Sequence, residues 1–305
     1  MHPTTAHSPG APAPAISVTD LRKTYGSHAA VDGLDLRVET GEIFAILGPN
    51  GAGKTTTVEI LEGFRSPDSG VVRVLGENPA NAGRAWRARI GVVMQDSRDQ
   101  PELTVSELVH HYATYYPAAR DPDEVIEAVG LREKAKVRGR QLSGGQRRRL
   151  DVALGIVGNP ELLFLDEPTT GFDPQARRSF WELVLSLREG GTTILLTTHY
   201  LDEAAHLADR VAVVQDGRVV ALGAPDTLGG AEARLPVVHW ESGGQHFSER
   251  TAQPTALVAR LAGELAGAGG EIPGLLVARP SLEDIYLSLI TGTDADAATT
   301  EETNR

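Results

Sequence analysis

Three short stretches of this chain carry residue types whose spacing suits phosphate chemistry. The first is GPNGAGKTT at 48–56, which fits the pattern G-x-x-x-x-G-K-[ST]. Gly48, Gly51 and Gly53, with Pro49, Asn50 and Ala52 between them, let successive backbone N–H groups converge on phosphate oxygens. Lys54 adds a point charge for the β- and γ-phosphates of a nucleoside triphosphate, and Thr55, with Thr56 beside it, offers a hydroxyl to Mg²⁺. The second stretch is LLFLDEP at 162–168, where an apolar run delivers Asp166 and Glu167 to the end of a buried strand. Asp166 suits Mg²⁺ through water, and Glu167 suits polarising the water that attacks the γ-phosphate, as a general base. The third is LSGGQRRR at 142–149, with Ser143, Gly144, Gly145 and Gln146 at the start of a helix. Free N–H groups and the positive end of the helix dipole face outward there, where side chains are smallest, so this too is an anion cradle. One chain therefore carries two.

Four further features are ambiguous when taken singly. His199 closes the apolar run ILLTTH and Gln95 ends IGVVMQ, so both belong at strand ends near the carboxylates. A lone His at such a place is more often a surface or capping residue than a catalytic one; an amide there can touch Mg²⁺ or the lytic water. Tyr25 in KTYG is a stacking face for a base or an ordinary edge aromatic. Arg147, Arg148 and Arg149 form a charge run, which on a helix reads as a solvated face.

The elements that position these residues are legible from periodicity. Alternating apolar and polar positions between Ile16 and Gly41 predict antiparallel strands, and EIFAIL predicts a strand covered on both faces that leads through the glycine loop into a helix from about Lys54. Strands follow at GVVRVLGE and RIGVVMQ, then helices at TVSELVHHYATYY, at DPDEVIEAVG with Asp121 as N-cap and Pro122 at N1, and at the LSGGQ stretch. The β/α rhythm resumes with ELLFLDEP, a helix from Pro174 to about Glu189, the strand TTILLTTH, a short helix at LDEAAHLAD and a hairpin turning at Asp216-Gly217. Such alternation predicts a parallel sheet flanked by helices. Past Pro225 the pattern reads strand, helix, strand, helix, ending in PSLEDIYLSLI with Ser281 and Asp284 as a capping box. The resulting division is a disordered leader at 1–15, a main domain at 16–225 with a helical subdomain at about 97–158, a small C-terminal domain at 226–291 and a disordered tail at 292–305.

Composition narrows the function classes. With 29 Lys and Arg against 41 Asp and Glu the formal net charge is −12, which repels a phosphate backbone and argues against nucleic acid as a partner. The chain has no cysteine, so disulfides and thiolate metal sites are excluded. No apolar run approaches the ~18 residues of a membrane span, and the opening residues lack the basic and apolar regions of a secretory signal.

In combination these stretches resemble the ATP-binding subunits of the ATP-binding cassette (ABC) transporter superfamily, over nearly all of Ile16 to Gly223. LSGGQ is the signature that separates this family from other P-loop proteins, and the order of glycine loop, strand-end glutamine, signature, Asp-Glu pair, GFDP and histidine matches as well. The resemblance implies an α/β fold: a RecA-like P-loop NTPase core with an antiparallel β subdomain, an inserted α-helical subdomain and, here, a small C-terminal α+β appendage. It implies ATP as the nucleotide and a head-to-tail homodimer, in which Ser143 and Gly145 of one copy close over the γ-phosphate held by Lys54 of the other. It also implies that Tyr25 stacks on adenine, that Gln95 senses the γ-phosphate and signals to a separate transmembrane permease subunit, that His199 contacts the γ-phosphate and that Asp173 lies at the dimer seam. Phe172 stands where the family more often has leucine. The stretches TTHYLDEAAHLADRV and PSLEDIYLSLI are similar to ATPase subunits of bacterial daunorubicin-resistance type exporters, which implies a peripheral place on the cytoplasmic face of the membrane and a role in drug export. An importer ATPase, and a soluble ABC ATPase acting on ribosomes or DNA, are the alternatives.

Overall fold

The computed structural model describes residues 13–94, 102–265 and 271–291. Its contacts divide the chain into two compact units, Met1–Val220 and Ala221–Arg305.

The first unit begins with β1 (Ile16–Tyr25) and β2 (His28–Val38), followed by β3 (Ile43–Leu47), α1 (Lys54–Leu61), β4 (Ser69–Val74), the single turn α2 (Arg84–Arg87) and β5 (Ile90–Val93). Three helices come next: α3 (Val105–Ala113), α4 (Pro122–Ala128) and α5 (Gly144–Ile156). The unit then runs through β6 (Leu162–Asp166), α6 (Pro174–Glu189), β7 (Thr193–Thr197), α7 (Leu201–Leu207), β8 (Arg210–Gln215) and β9 (Arg218–Gly223), the last straddling the division.

Two sheets share one core. β1 lies between β2 and β4, antiparallel to both, with Ile16 opposite Val38 on one side and Val74 on the other. The second sheet has the order β5-β6-β7-β3-β8-β9, and its pairs β5/β6, β6/β7, β7/β3 and β3/β8 are all parallel. Parallel strands covered on both faces have no solvent side, which is why IFAIL and LLFL are apolar without alternation and every residue of β3 and β7 is buried. Ile16, Leu21 and Val74 from the antiparallel sheet pack with Phe44, Phe164 and Leu195 from the parallel one. Trp86 seals this core, fully buried, its indole N–H donating to the Val74 carbonyl at 2.9 Å.

The helical block is built from local signals. Thr104 and Glu107 form a capping box at the start of α3, and the Asp121 side chain accepts from the N–H groups of Asp123 and Glu124 with Pro122 as first residue of α4. The antiparallel, parallel and helical parts together make the P-loop NTPase architecture expected from the sequence.

The second unit holds α8 (Gly230–Ala233), β10 (Val237–Ser242), β11 (Gln245–Arg250), α9 (Pro254–Leu265), β12 (Leu276–Ala278) and a helix at 282–291. Its sheet runs β11-β10-β12, and Val238, Leu257, Leu261 and Ile272 form its core. The Ser281–Asp284 capping box is present. The sequence pattern misses two elements, the single turn α8 and the strand β11: strand, helix, strand, helix becomes helix, strand, strand, helix, strand, helix. β11 is exposed along its whole length, so no apolar alternation announces it, and only its pairing with β10 across Gly243-Gly244 makes it a strand.

Candidate functional site

The loops that follow β3, β6 and β7 leave one edge of the parallel sheet, where ligands of such sheets bind. After β3 the chain turns through Gly51 (φ 84°) and Gly53 (φ 99°) into α1. Two of its glycines are required by close approach: a Cβ on Gly48 would lie 2.3 Å from the Val214 carbonyl oxygen, and one on Gly53 would lie 2.2 Å from that of Ala30. The loop is thereby wedged between β8 and β2. Lys54 is 7% exposed and donates to the carbonyls of Gly48 and Pro49 at 2.8 and 3.0 Å. Burial lowers its pKa, while the charges of Glu167 and Asp166 act to raise it, so the ammonium and both carboxylates share one electrostatic neighbourhood. Thr55 is exposed beside it and Thr56 half-buried.

At the end of β6 the two acids diverge. Asp166 accepts a hydrogen bond from the Thr197 hydroxyl at 2.5 Å. Glu167 has φ 44°, a left-handed conformation that a side chain with a Cβ adopts at a cost of ~1–3 kcal/mol. Its N–H donates to the Thr197 carbonyl and hydroxyl, both at 3.1 Å, which holds the turn in place. The turned Glu167 carboxylate meets His199 Nδ1 at 3.3 Å. Asp166, Glu167 and His199 are thus brought together through Thr197, a residue that sequence reading passed over although it stands two positions before His199. Gln95 lies outside the described residues. Tyr25 ends β1, 40% exposed, with the cations of Lys23 and Arg65 at 5.7 and 5.3 Å from the centre of its ring.

At the second anion cradle the structure adds a capping box. Ser143 accepts from the Gln146 N–H at 3.3 Å, and the Gln146 side chain accepts from the Ser143 N–H at 3.1 Å. This start of α5 opens on a cleft of about 720 Å³ whose lining includes Ser143, Gly145, Gln146, Arg149, Phe172 and Asp173. None of residues 48–56 lines it. Asp173 caps α6, accepting from the Ala176 N–H at 2.8 Å, and Phe172 packs edge-on against buried Phe180 with ring centres 5.8 Å apart. The larger ring that replaces the family's usual leucine is therefore directed partly into the base of α6.

The charge run needs correction. Arg148 is not solvated: it is 7% exposed, and its guanidinium donates to the carbonyls of Met94, Asp166 (2.6 Å) and Pro168 (3.0 Å), with Asp151 at 4.0 Å. Adjacent arginines point in different directions around a helix, and only the packing of α5 against the strand ends decides which one is buried. Arg148 thus ties the helix that begins at Ser143 to the backbone on either side of Glu167.

Comparison with known proteins agrees with this architecture. Residues 31–170 match the ABC transporter family. The chain is 39% identical to the daunorubicin resistance ATP-binding protein DrrA3 of Streptomyces coeruleorubidus over 92% of its own length and 96% of the relative's. It is 47% identical to Nod factor export ATP-binding protein I of Ralstonia nicotianae over 70% of its own length and 68% of the relative's. Among solved structures, cbiO1 of Clostridium perfringens, part of the ABC transporter complex cbiONQ, matches with a TM-score of 0.65 at 29% identity, covering 70% of this chain and 90% of that one. The dimeric post-hydrolysis state of an ATP-binding cassette bound to ADP and Pi matches with a TM-score of 0.62 at 26% identity, covering 68% and 98%. A wedged glycine loop, an Asp-Glu pair at the same sheet edge and an LSGGQ helix start, in a chain with relatives of this kind along nearly its full length, lead to one assignment: the protein belongs to the ATP-binding subunits of the ABC transporter family and is an ATPase.

Proposed function

We propose that this ATPase drives export, as one of two identical cassettes that close head to tail over ATP and act on a separate transmembrane permease. The observation that carries the dimer is the separation of the two anion cradles: the cleft at the start of α5 is lined by Ser143, Gly145 and Asp173 and by no residue of the glycine loop. The triphosphate held at Lys54 of a second copy is its natural occupant. Closing two helix ends over one polyanion stabilises the closed state, and loss of the γ-phosphate removes that contact.

Within each site, Lys54 and the loop N–H groups hold the phosphates, Glu167 takes the proton of the attacking water and His199, against the Glu167 carboxylate, orients that carboxylate and meets the γ-phosphate. Asp166 and Thr55 supply the few hard oxygen donors that suit Mg²⁺, which takes much of its shell from phosphate and water. Among the described residues no group of three His, Asp or Glu side chains is placed to hold a metal without such help. When bound, Mg²⁺ would neutralise charge developing on the phosphates.

Export is supported by relatives named for Nod factor export and for daunorubicin resistance. Among the described residues no helix is long and apolar enough to cross a membrane. The reading therefore assigns the crossing to the permease, with this chain on the cytoplasmic face where ATP is made available. A groove of about 520 Å³ lined by Glu62, Phe64, Arg87, Tyr112 and Tyr116, with Phe64 67% exposed, offers the permease a seat.

The test is the mass of the Glu167→Gln chain. With ATP it should shift from monomer to dimer and stay there, and Ser143→Arg in the same background should return it to monomer. A chain that remains monomeric while hydrolysing ATP at full rate refutes the head-to-tail reading. Co-purification from the native membrane should recover a protein with several apolar spans.

A further inference from the structure

Glu203 has no solvent exposure, and nothing in the chemistry above uses it. It lies on α7, four residues past His199, and accepts a hydrogen bond from the indole N–H of Trp181 on α6 at 3.2 Å. Burial pushes its pKa up; the hydroxyls of Thr198 and Thr169, then Trp181 and the charge of Arg177, favour the ionised form against that burial. Each of these groups belongs to a different part of the site. Thr169 is fully buried in the loop between Glu167 and Asp173, and Thr198 immediately precedes His199, its hydroxyl accepting from the Tyr200 N–H at 3.0 Å. Arg177, one turn into α6, lies over the Tyr200 ring at 4.4 Å. One buried carboxyl therefore faces the loop that leaves Glu167, the turn that carries His199 and the helix that Asp173 caps. Its Oε2, the Thr169 hydroxyl and Arg177 Nε are all buried and close no hydrogen bond of good geometry. Filling this space with an apolar side chain would avoid the desolvation of a carboxyl and the orphaned polar atoms, so packing alone does not account for a glutamate here.

We propose that Glu203 is a positioning residue for ATP hydrolysis: it fixes the loop 168–173 to the His199 turn so that Glu167 and His199 keep their mutual geometry. The proposal rests on the reading of Glu167 and His199 as the hydrolytic pair. The groups that act on the Glu203 carboxyl, Trp181, Thr198, Thr169 and Arg177, include none of the glycine loop, so the proposal gives it no part in nucleotide binding.

The experiment compares full-length Glu203→Ala, Glu203→Gln, Thr169→Val and the double variant Glu203→Ala/Thr169→Val, with steady-state ATPase assays and a separate ATP-binding titration. Glu203→Ala should lower kcat roughly ten- to a hundredfold, the scale set by small misplacement of a catalytic group, and leave ATP affinity within about twofold. Glu203→Gln keeps the shape and an acceptor for Trp181 and should recover most of the rate. The double variant should be no slower than the slower single variant, because both substitutions loosen the same buried cluster. Unchanged kcat in a folded Glu203→Ala chain, a parallel loss of ATP affinity, or multiplying losses in the double variant each overturn the proposal. If Glu203→Ala does not fold, Glu203→Gln and Thr169→Val decide: a lower kcat at unchanged affinity for Thr169→Val supports it, and wild-type kcat in both overturns it. Glu167→Gln, assayed alongside, separates the two levels. Wild-type turnover there removes the hydrolytic reading itself, whereas lost turnover there with unaffected Glu203 variants removes only the positioning role.

Discussion

Replacing Arg148 by methionine keeps most of the volume and removes a guanidinium that donates to three backbone carbonyls and lies 4.0 Å from the buried Asp151 carboxylate. Hydrogen bonds from a charged group contribute about 1.5–3 kcal/mol each, and breaking a buried charge pair by removing one partner costs about 3–5 kcal/mol. These terms overlap, because the same guanidinium supplies all of them, so the expected loss is about 3–5 kcal/mol rather than their sum. For a unit of this size about 2–4 °C of Tm is lost per kcal/mol, which places the melting transition of the first unit roughly 6–20 °C lower. Lysine keeps the charge but not the planar fork, and a single ammonium cannot span the carbonyls of Met94 just past β5, of Asp166 at the end of β6 and of Pro168 in the following loop. Arg148→Lys should therefore lose part of the stability. Because two of the carbonyls flank Glu167, it should lose turnover more than ATP affinity. Thermal melts of the full chain, with ATPase and ATP-binding assays on Arg148→Lys, measure both. A methionine variant within about 1 kcal/mol of wild type would show that Arg148 is a solvated arginine after all, as the charge run first suggested.

Glu62, 8% exposed and pushed up to about 8 by burial and by the charges of Asp166 and Glu59, gives the fold a pH dependence. The folded chain keeps a proton that the unfolded chain releases above about 4.5, so this residue's contribution falls as pH rises from there to about 8, by at most about 1.4 kcal/mol per pH unit, and then levels off. Glu62→Gln should flatten that slope in a Tm-against-pH series and be more stable than wild type at pH 8; an unchanged slope means that the carboxyl is ionised in the fold. Gly53→Ala must displace the Ala30 carbonyl, whereas a Cβ on Gly51 meets nothing within 4 Å. In an ATP titration Gly53→Ala should lose affinity tenfold or more, about 1.4 kcal/mol, and Gly51→Ala should show mainly a stability loss of about 1–2 kcal/mol from its positive φ. Lys54→Ala should abolish tight ATP binding, while Ser143→Arg should leave binding by the monomer intact in the same titration. Equal loss in the two would assign Ser143 to its own chain's site.

The parts of the protein that the sequence determined by itself are those whose interactions close within a few residues or whose burial is uniform. The glycine loop, the helix start at Ser143, the capping box at Ser281–Asp284, the Asp121-Pro122 start of α4 and the apolar runs of β3, β6 and β7 all belong to this class, because a cap reaches only three residues ahead and a strand buried on both faces shows no alternation. The family's motif order followed from the same local stretches. Tertiary structure alone decided which of three neighbouring arginines is buried, that Thr197 joins Asp166 to Glu167, and that Glu203 faces two loops and a helix. It also made a strand of the polar stretch Gln245–Arg250, and it gave the start of α5 a cleft that excludes the glycine loop. For Thr197, Glu203 and the cleft the decisive partner is distant along the chain; for the arginines it is set by the rotation of one helix against the strand ends, and for Gln245–Arg250 it is the neighbouring strand β10 across Gly243-Gly244. No spacing pattern encodes such a choice, since the energy that fixes it comes from desolvating one face while the other stays in water.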